Sequence, residues 1–437
     1  LTDLAARNEE ITEMGFFTII LQLITIPAVI LGLIALIGLL IQRKSAGDVI
    51  TGTIKTILGL LIMSVGINAL IANLVPIQAM FEVGVPAGGF TTFVTFDEAV
   101  VSAVQDANIA NIGAAIAWTM LFGYIVHLLL ARFTKFKYIY LTGHMIWIHA
   151  GAFAILFQSF GLSLLWTVVL ASIVDGLYMT LAPALAQPVM RKIMGNDDIA
   201  FGHGQTLLNM VSAWVGKLIG NPEDSAEQTE MSGSLSFFRD MAISISLIMI
   251  IVAFVAVILA ILQIGTGGVE ETISGGQNWF VFTLLQALML IAEIVPAFKG
   301  VAEKLIPGAK PALDCPVIYP FAPNSLIIGL ISGTIGQVLG MIGLALIRWP
   351  VPLPSMIVAF FASGAGAIFG NATGGKRGAW AGGFLWGFVG WFMISFAYKF
   401  LVFGDLTAMG AVDLGFTVPD AILPGIGIWL IAKVFGA

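Results

Sequence analysis

Residues Phe16–Ile41 run for 26 positions without a charge. About 20 apolar residues carry a helix across a bilayer. Lipid offers the backbone no hydrogen bonds, so a run of this kind crosses as a helix. Comparable apolar runs follow at 49–73, 107–131, 138–158, 161–186, 241–265, 278–299, 324–347, 353–371, 378–403 and 420–436. The expectation is an all-α polytopic membrane protein with eleven transmembrane helices. Charged residues make up 10% of the 437, against about 25% in a soluble domain. The polar start LTDLAARNEEITEMG leads into a full-length span, so a cleavable signal is not expected there.

Loop charge sets the expected orientation. Arg43 and Lys44, then Arg132, Lys135 and Lys137, then Arg191 and Lys192 follow spans 1, 3 and 5. Lys299, Lys304 and Lys310 follow span 7, Lys376 and Arg377 follow span 9, and Lys433 lies at the end. The alternate loops are acidic or neutral, carrying Glu82, Asp97, Glu98, Glu270, Glu271, Asp405 and Asp413. This pattern places the N-terminus outside and the C-terminus in the cytoplasm. The expected organisation is a polar segment at 1–15, a first transmembrane repeat at 16–186, and a cytoplasmic connection at 187–240. A second repeat at 241–403 and a loop with a final helix at 404–437 complete it. The GNPEDSAEQTEMSGS portion of the connection reads as a surface loop.

Five spans precede the connection and five more begin at 241, ahead of the final helix, so the halves face opposite ways, as in inverted-repeat transporters. Each half has an irregular segment after its second span, VPAGGFTTFVTF at 85–96 and IPGAKPALDCPVIYP at 306–320. An asparagine then opens a span, Asn108 or Asn111 in the first half and Asn324 in the second. Fifty glycines suit helices that pack closely or break.

Irregular backbone and ionisable groups at membrane depth belong inside protein or beside a water-filled cavity. Asp314 lies among Pro307, Pro311, Pro316 and Pro320, which forbid regular helix. It reads as a solute-binding acceptor or general base, with an ion pair to Lys310 as the structural alternative. In LTGHMIWIHAG, His144 is expected to line a cavity, and a hydrogen bond between helices is the other reading. His149, five residues on, does not share its face, which argues against a two-histidine metal site there; it reads as structural. His127 reads as interfacial. In IAFGHGQT, glycines flank His203 and Gln205 supplies a donor and an acceptor. The apolar run after it reads as a half-helix whose N-terminal dipole points at a polar solute, and a helix cap in a loop is the alternative. Cys315, the sole cysteine, reads as a packing residue and excludes an internal disulfide. Lys55, Thr56, Ser64, Asn68 and Glu293 could face the same cavity, Lys55 and Glu293 could simply pair, and Asp175 has no evident partner. No metal ion, cofactor or nucleic acid is expected, and no enzyme motif is present.

Four blocks carry a family resemblance: RKSAGDVITGTIKTILG (43–59), YLTGHMIWIHAG (140–151), IAFGHGQ (199–205) and LIPGAKPALDCPVIYPFAPN (305–324). Together they resemble the L-ascorbate-specific IIC component of the bacterial phosphotransferase system, with the galactitol IIC proteins as more distant relatives. The resemblance implies a homodimer in the bacterial inner membrane. Each chain would have inverted five-helix repeats, two re-entrant segments, a core domain and a V-shaped dimerisation domain. It implies L-ascorbate or a related sugar acid or polyol as substrate, phosphorylated during uptake by a cytoplasmic IIB subunit that IIA charges. No phosphoryl-transfer domain is expected in the chain itself. Carried onto this sequence, the family's site falls on Thr92, Phe93, His144, Ile148, His203, Gly204, Gln205 and Asp314, with Asp314 and His203 as the catalytic pair.

The chain departs from the ascorbate pattern where Phe93 replaces a tyrosine and where Ile148 and Gly204 replace glutamines, with Gln205 as a substitute for the last. Each lost hydrogen bond is worth about 0.5–1.5 kcal/mol net, enough to shift the choice of solute. The competing function is a cation-coupled secondary transporter with Asp314 as the titrating group.

Overall fold

The computed structural model describes residues 26–41, 43–59, 61, 79–80, 83–84, 91–229, 241–272, 310–355 and 357–435. The expected span at 278–299, all of 62–73, including Ser64 and Asn68, and residues Glu293, Pro307 and Gly308 lie outside them. The described chain is mostly helical. In order it runs α1 (Pro27–Ile41), β1 (Thr92–Thr95), α2 (Asp97–Ala107), α3 (Ile112–Phe133), β2 (Tyr138–Tyr140), α4 (Gly143–Ser159) and α5 (Leu164–Met194). Then come β3 (Ala200–Phe201), α6 (Thr206–Ile219), α7 (Met241–Thr272), β4 (Lys310–Leu313), α8 (Pro323–Leu346), β5 (Val351–Pro352), α9 (Ser363–Lys399), β6 (Leu414–Gly415) and α10 (Pro419–Val434).

Among the described residues, five helical segments are long and apolar enough to cross a membrane: Ile109–Phe133, Leu164–Met194, Ala253–Glu270, Pro323–Leu346 and Val358–Lys399. Their outward faces carry exposed Leu129, Leu177, Leu181, Ile331, Ile335 and Ile342, as lipid contact requires. The last segment is a hairpin. At Gly375 the backbone turns with φ 61 and ψ −151, and the two limbs run back along each other. A Cβ on Gly370 would sit 2.1 Å from the Gly378 carbonyl oxygen, and the reverse holds for Gly378. Only hydrogen lets backbones meet so closely, the small-residue packing of membrane helices. The turn carries Lys376 and Arg377, the basic pair expected between spans 353–371 and 378–403.

Residues 138–140, expected to open a span, instead form a strand, and helix begins only at Gly143. Residues 187–219, expected in a connection, hold the end of α5, β3 and α6. Part of the polar loop after them is structural. The Glu227 carboxylate accepts from the backbone N–H of Asn324 at 2.9 Å and Ser325 at 2.8 Å, capping α8.

Two small parallel sheets join distant parts of the chain. In one, β1 lies between β5 and β6, with Thr92 opposite Val351 and Val94 opposite Leu414. In the other, β4 lies between β2 and β3, with Tyr140 and Ala200 both opposite Ala312. Each central strand takes both neighbours from the other half of the chain. Proline rarely enters a central strand. Pro311 is tolerated because β3 pairs only with Ala312 and Leu313 beyond it.

Candidate functional site

Strands β2, β4 and β3 are parallel, so their C-terminal ends open on the same side. His144 follows β2 by four residues, His203 follows β3 by two, and Asp314 follows β4 directly. The frame continues past the strands. Leu141 N–H donates to the Ala312 carbonyl at 3.0 Å, and Gly202 N–H to the Leu313 carbonyl at 2.7 Å. Thr142 Oγ1 donates to the Gly202 carbonyl. A Cβ at Gly202 would meet the Ala312 carbonyl oxygen at 2.6 Å, so only glycine fits the strand end beside His203.

His203 Nε2 lies 3.5 Å from Asp314 Oδ1, and His144 Nε2 lies 3.9 Å from Oδ2. The imidazole centroids are 5.9 Å apart at 61°. Asp314 is the N-cap of a short 3-10 turn, its Oδ1 accepting from Cys315 N–H at 2.6 Å. The three side chains are 20%, 11% and 24% exposed for His144, His203 and Asp314. They converge on one point, and each keeps part of its side chain exposed.

Lys310, the structural alternative as partner for Asp314, pairs instead with Asp197, which also meets Arg191 at 2.8 Å. Those two cations, with Arg191 the larger influence, hold the Asp197 carboxyl well below the usual carboxylate range. Among the described residues the ion-pair neighbours of Asp314 are His144 and His203.

The turn that carries His203 is fixed from several sides. Its carbonyl accepts from Tyr178 Oη at 3.1 Å, Thr206 Oγ1 at 3.3 Å and Gln205 N–H at 2.8 Å. Helix α6 is the expected half-helix, but its N-terminal amides are taken by protein. Thr206 N–H and Leu207 N–H donate to the Asp420 carboxylate at 2.8 and 2.7 Å. The dipole is aimed at Asp420, which sits in the first turn of α10. In the other sheet the matching strand ends are also closed by a carboxylate. Asp97 accepts from Thr417 N–H at 2.7 Å, Val418 N–H at 3.2 Å and the Thr417 hydroxyl.

The remaining expected residues are spread out. Gly204 and Gln205 adjoin His203, with Gln205 the N-cap of α6. Ile148 is fully buried in α4. Thr92 and Phe93 lie in the other sheet, and the Phe93 ring stacks on Tyr398 at 3.9 Å. His149 is buried, its Nδ1 donating to the Met145 carbonyl at 2.8 Å and its Nε2 directed toward Gly204. His127 is not interfacial. It is fully buried, accepts Tyr140 N–H on Nε2 at 3.0 Å and meets Thr180 Oγ1 at 2.9 Å through Nδ1, so it clamps β2 to α3 and α5. Cys315 is buried and free, as a packing residue should be. Lys55 is exposed on the helical stretch 46–59, and Asp175 is buried in α5 against Gly123.

Sequence reading missed Tyr178 and Asp420. The VPD start of α10 signals only a cap for its own helix, and nothing local reveals that its carboxylate serves α6.

A family model for the sugar-specific permease component of the phosphotransferase system (PTS) matches residues 22–421. An ascorbate-specific PTS EIIC component from Mycoplasma pneumoniae is 29% identical over 434 residues, taking in 85% of this chain and 65% of that protein. The match spans most of the sequence, and the chain belongs to the PTS sugar-specific permease family.

Proposed function

We propose that the chain is a IIC permease that binds L-ascorbate, or a related sugar acid or polyol, and moves it across the bacterial inner membrane. A cytoplasmic IIB subunit, charged by IIA, phosphorylates the solute during uptake. The observation that carries this reading is the convergence of His144, His203 and Asp314 on one point. Two imidazoles and a carboxylate there suit the hydroxyls of a polyhydroxylated solute. Asp314 accepts the proton of the hydroxyl that receives the phosphoryl group, and His203 orients that hydroxyl. His144 binds the solute from the opposite strand. Thr92, Phe93, Ile148, Gly204 and Gln205 complete the proposed lining.

The reciprocal pairing of the two sheets supports inverted repeats. Strand β4 lies 218 residues after β1, and its neighbours β2 and β3 stand 213 and 214 residues before β5 and β6, counted from first residues. A near-constant offset is what a duplicated unit leaves. On that reading the segments at 85–96 and 306–320 are re-entrant counterparts and the chain has eleven spans. The N-terminus lies outside, the C-terminus is cytoplasmic, and two chains form the dimer. The core moves the solute as a rigid body against the dimer scaffold.

The test is uptake into vesicles holding the purified chain, with and without phosphoenolpyruvate and the soluble partners. Phosphorylated ascorbate inside, dependent on those partners, is the expected result. Accumulation of unmodified solute driven by a cation gradient would replace this reading with secondary transport.

A further inference from the structure

One imidazole nitrogen each from His144 and His203 and a carboxylate oxygen of Asp314 all lie within 4.8 Å of one another. We propose that they form a binding site for a divalent transition-metal ion, best matched by Zn2+, which occupies the site in competition with the solute. The binding rests on the ligand geometry alone; the competition rests on the reading of this trio as the solute site.

The donor chemistry selects the ion. Two imidazoles and one carboxylate, with a fourth position open, form a set that Zn2+ takes in open sites. Calcium and magnesium call for all-oxygen shells, and thiolate-seeking ions find no ligand here because Cys315 is tied to Tyr319 Oη. The separations are close to what is needed. Zn2+ bonds of about 2.0–2.2 Å place tetrahedral ligands roughly 3.3 Å apart. Asp314 already stands 3.5 and 3.9 Å from the two imidazole nitrogens. Closing the widest edge, at most 4.8 Å, takes about 1.5 Å, within the reach of side-chain rotation on a fixed backbone.

The frame favours capture. All three ligands leave adjacent hydrogen-bonded strands, so the backbone is ordered before an ion arrives. Three other buried polar side chains are already engaged. His127 uses both nitrogens, Asp97 takes three donors and Asp420 two backbone amides. The facing atoms of His144, His203 and Asp314 form no hydrogen bond with one another; they stand as close ion-pair neighbours only. With their ring protons on Nδ1, the two imidazoles would turn Nε2 lone pairs to the same point as the carboxylate, and a cation would satisfy all three at once. Lys310, the cation on β4, is committed to Asp197.

The test uses the full-length chain in detergent, stripped with a chelator and titrated with Zn2+ by calorimetry. One ion per chain is expected, and Co2+ in its place should give the visible absorption of a tetrahedral site. His144→Gln, His203→Gln and Asp314→Asn should each weaken Zn2+ binding at least about tenfold, since even outer partners of a metal ligand are worth that much. Their melting temperatures should stay near that of the parent. Where a variant does not fold, protection of His144 and His203 from diethyl pyrocarbonate by Zn2+ in the parent chain decides the matter. Zn2+ should raise the apparent Kd for L-ascorbate without lowering the number of sites. No Zn2+ binding by the parent, binding undiminished in all three variants, or no protection of the two histidines overturns the metal site. Zn2+ binding without effect on ascorbate overturns the competition. Zn2+ binding in a chain that yields no phosphorylated solute would reject the transport reading and leave the metal site standing.

Discussion

The Asp420 carboxylate accepts the backbone N–H groups of Thr206 and Leu207 at 2.8 and 2.7 Å across a sequence separation of more than 200 residues. It thereby closes the N-terminus of α6 and holds the turn that presents His203. The Asp420 N–H also donates to the Gly204 carbonyl at 3.3 Å. Replacing Asp420 with alanine leaves two buried amides without acceptors. Loss of a cap costs about 0.5–2 kcal/mol, so a lower melting temperature is expected. Ascorbate affinity should fall with it because His203 loses its support. Asp420→Asn keeps one acceptor oxygen and should lie between parent and alanine in both measurements. A parent-like affinity in Asp420→Ala would show that the turn holds His203 unaided.

The trio at the strand ends divides into two roles. Removing the proton acceptor in Asp314→Asn should lower phosphorylated product by about 10²–10⁴-fold, the range for general-base catalysis. His144→Ala should instead weaken ascorbate binding by about tenfold, the equivalent of a hydrogen bond near the upper end of the 0.5–1.5 kcal/mol range. Product formation at saturating solute would change less. Binding isotherms and single-turnover phosphorylation separate the two effects. Wild-type phosphorylation in Asp314→Asn would remove it as the base.

The membrane-length helices were legible because an apolar run of twenty residues has few alternatives in lipid. The hairpin at Gly375 was legible too, since Lys376 and Arg377 interrupt an apolar stretch. The sheets were not. Strands of two to four residues, one of them KPAL with a proline inside, carry no period to read. Their partners are far away in sequence, so pairing leaves no local trace. Without the sheets, residue patterns name His144, His203 and Asp314 separately; the family resemblance groups them in one site, but not at adjacent strand ends. The same blindness misplaced His127. A histidine near a helix end looks interfacial until a strand backbone is found to donate to it.

Gly375 makes the hairpin turn with a positive φ, and a Cβ there would lie 2.2 Å from the Asn221 carbonyl oxygen and 2.3 Å from that of Asp224. Both neighbours are backbone and cannot swing away. Lys376 N–H is bonded to the Asp224 carbonyl at 2.8 Å, so the turn cannot shift without loss. Gly375→Ala should cost more than the roughly 1–3 kcal/mol of a strained backbone alone. Thermal unfolding in detergent reads this as a clear drop in melting temperature. Gly59→Ala is the control, since a Cβ there meets nothing within 4 Å, and it should melt like the parent.

Asp197 supplies a pH dependence whose sign can be worked out. Arg191 and Lys310 hold its carboxyl below the usual range in the folded chain, while the unfolded chain releases it to about 3.9. A depressed folded value means the stabilisation is complete above the unfolded value and is lost as pH falls below it toward the folded one. Asp197 is 44% exposed, so the contribution is modest and weakened by salt. The parent should therefore melt above Asp197→Asn near neutral pH, and the gap should narrow as pH falls below about 4. Because Lys310 opens β4, the loss of this pair should also loosen the strand that presents Asp314. Melting curves of both chains across that range, at low and high salt, test the assignment. A gap that stays constant with pH would mean that Asp197 acts through its shape and not its charge.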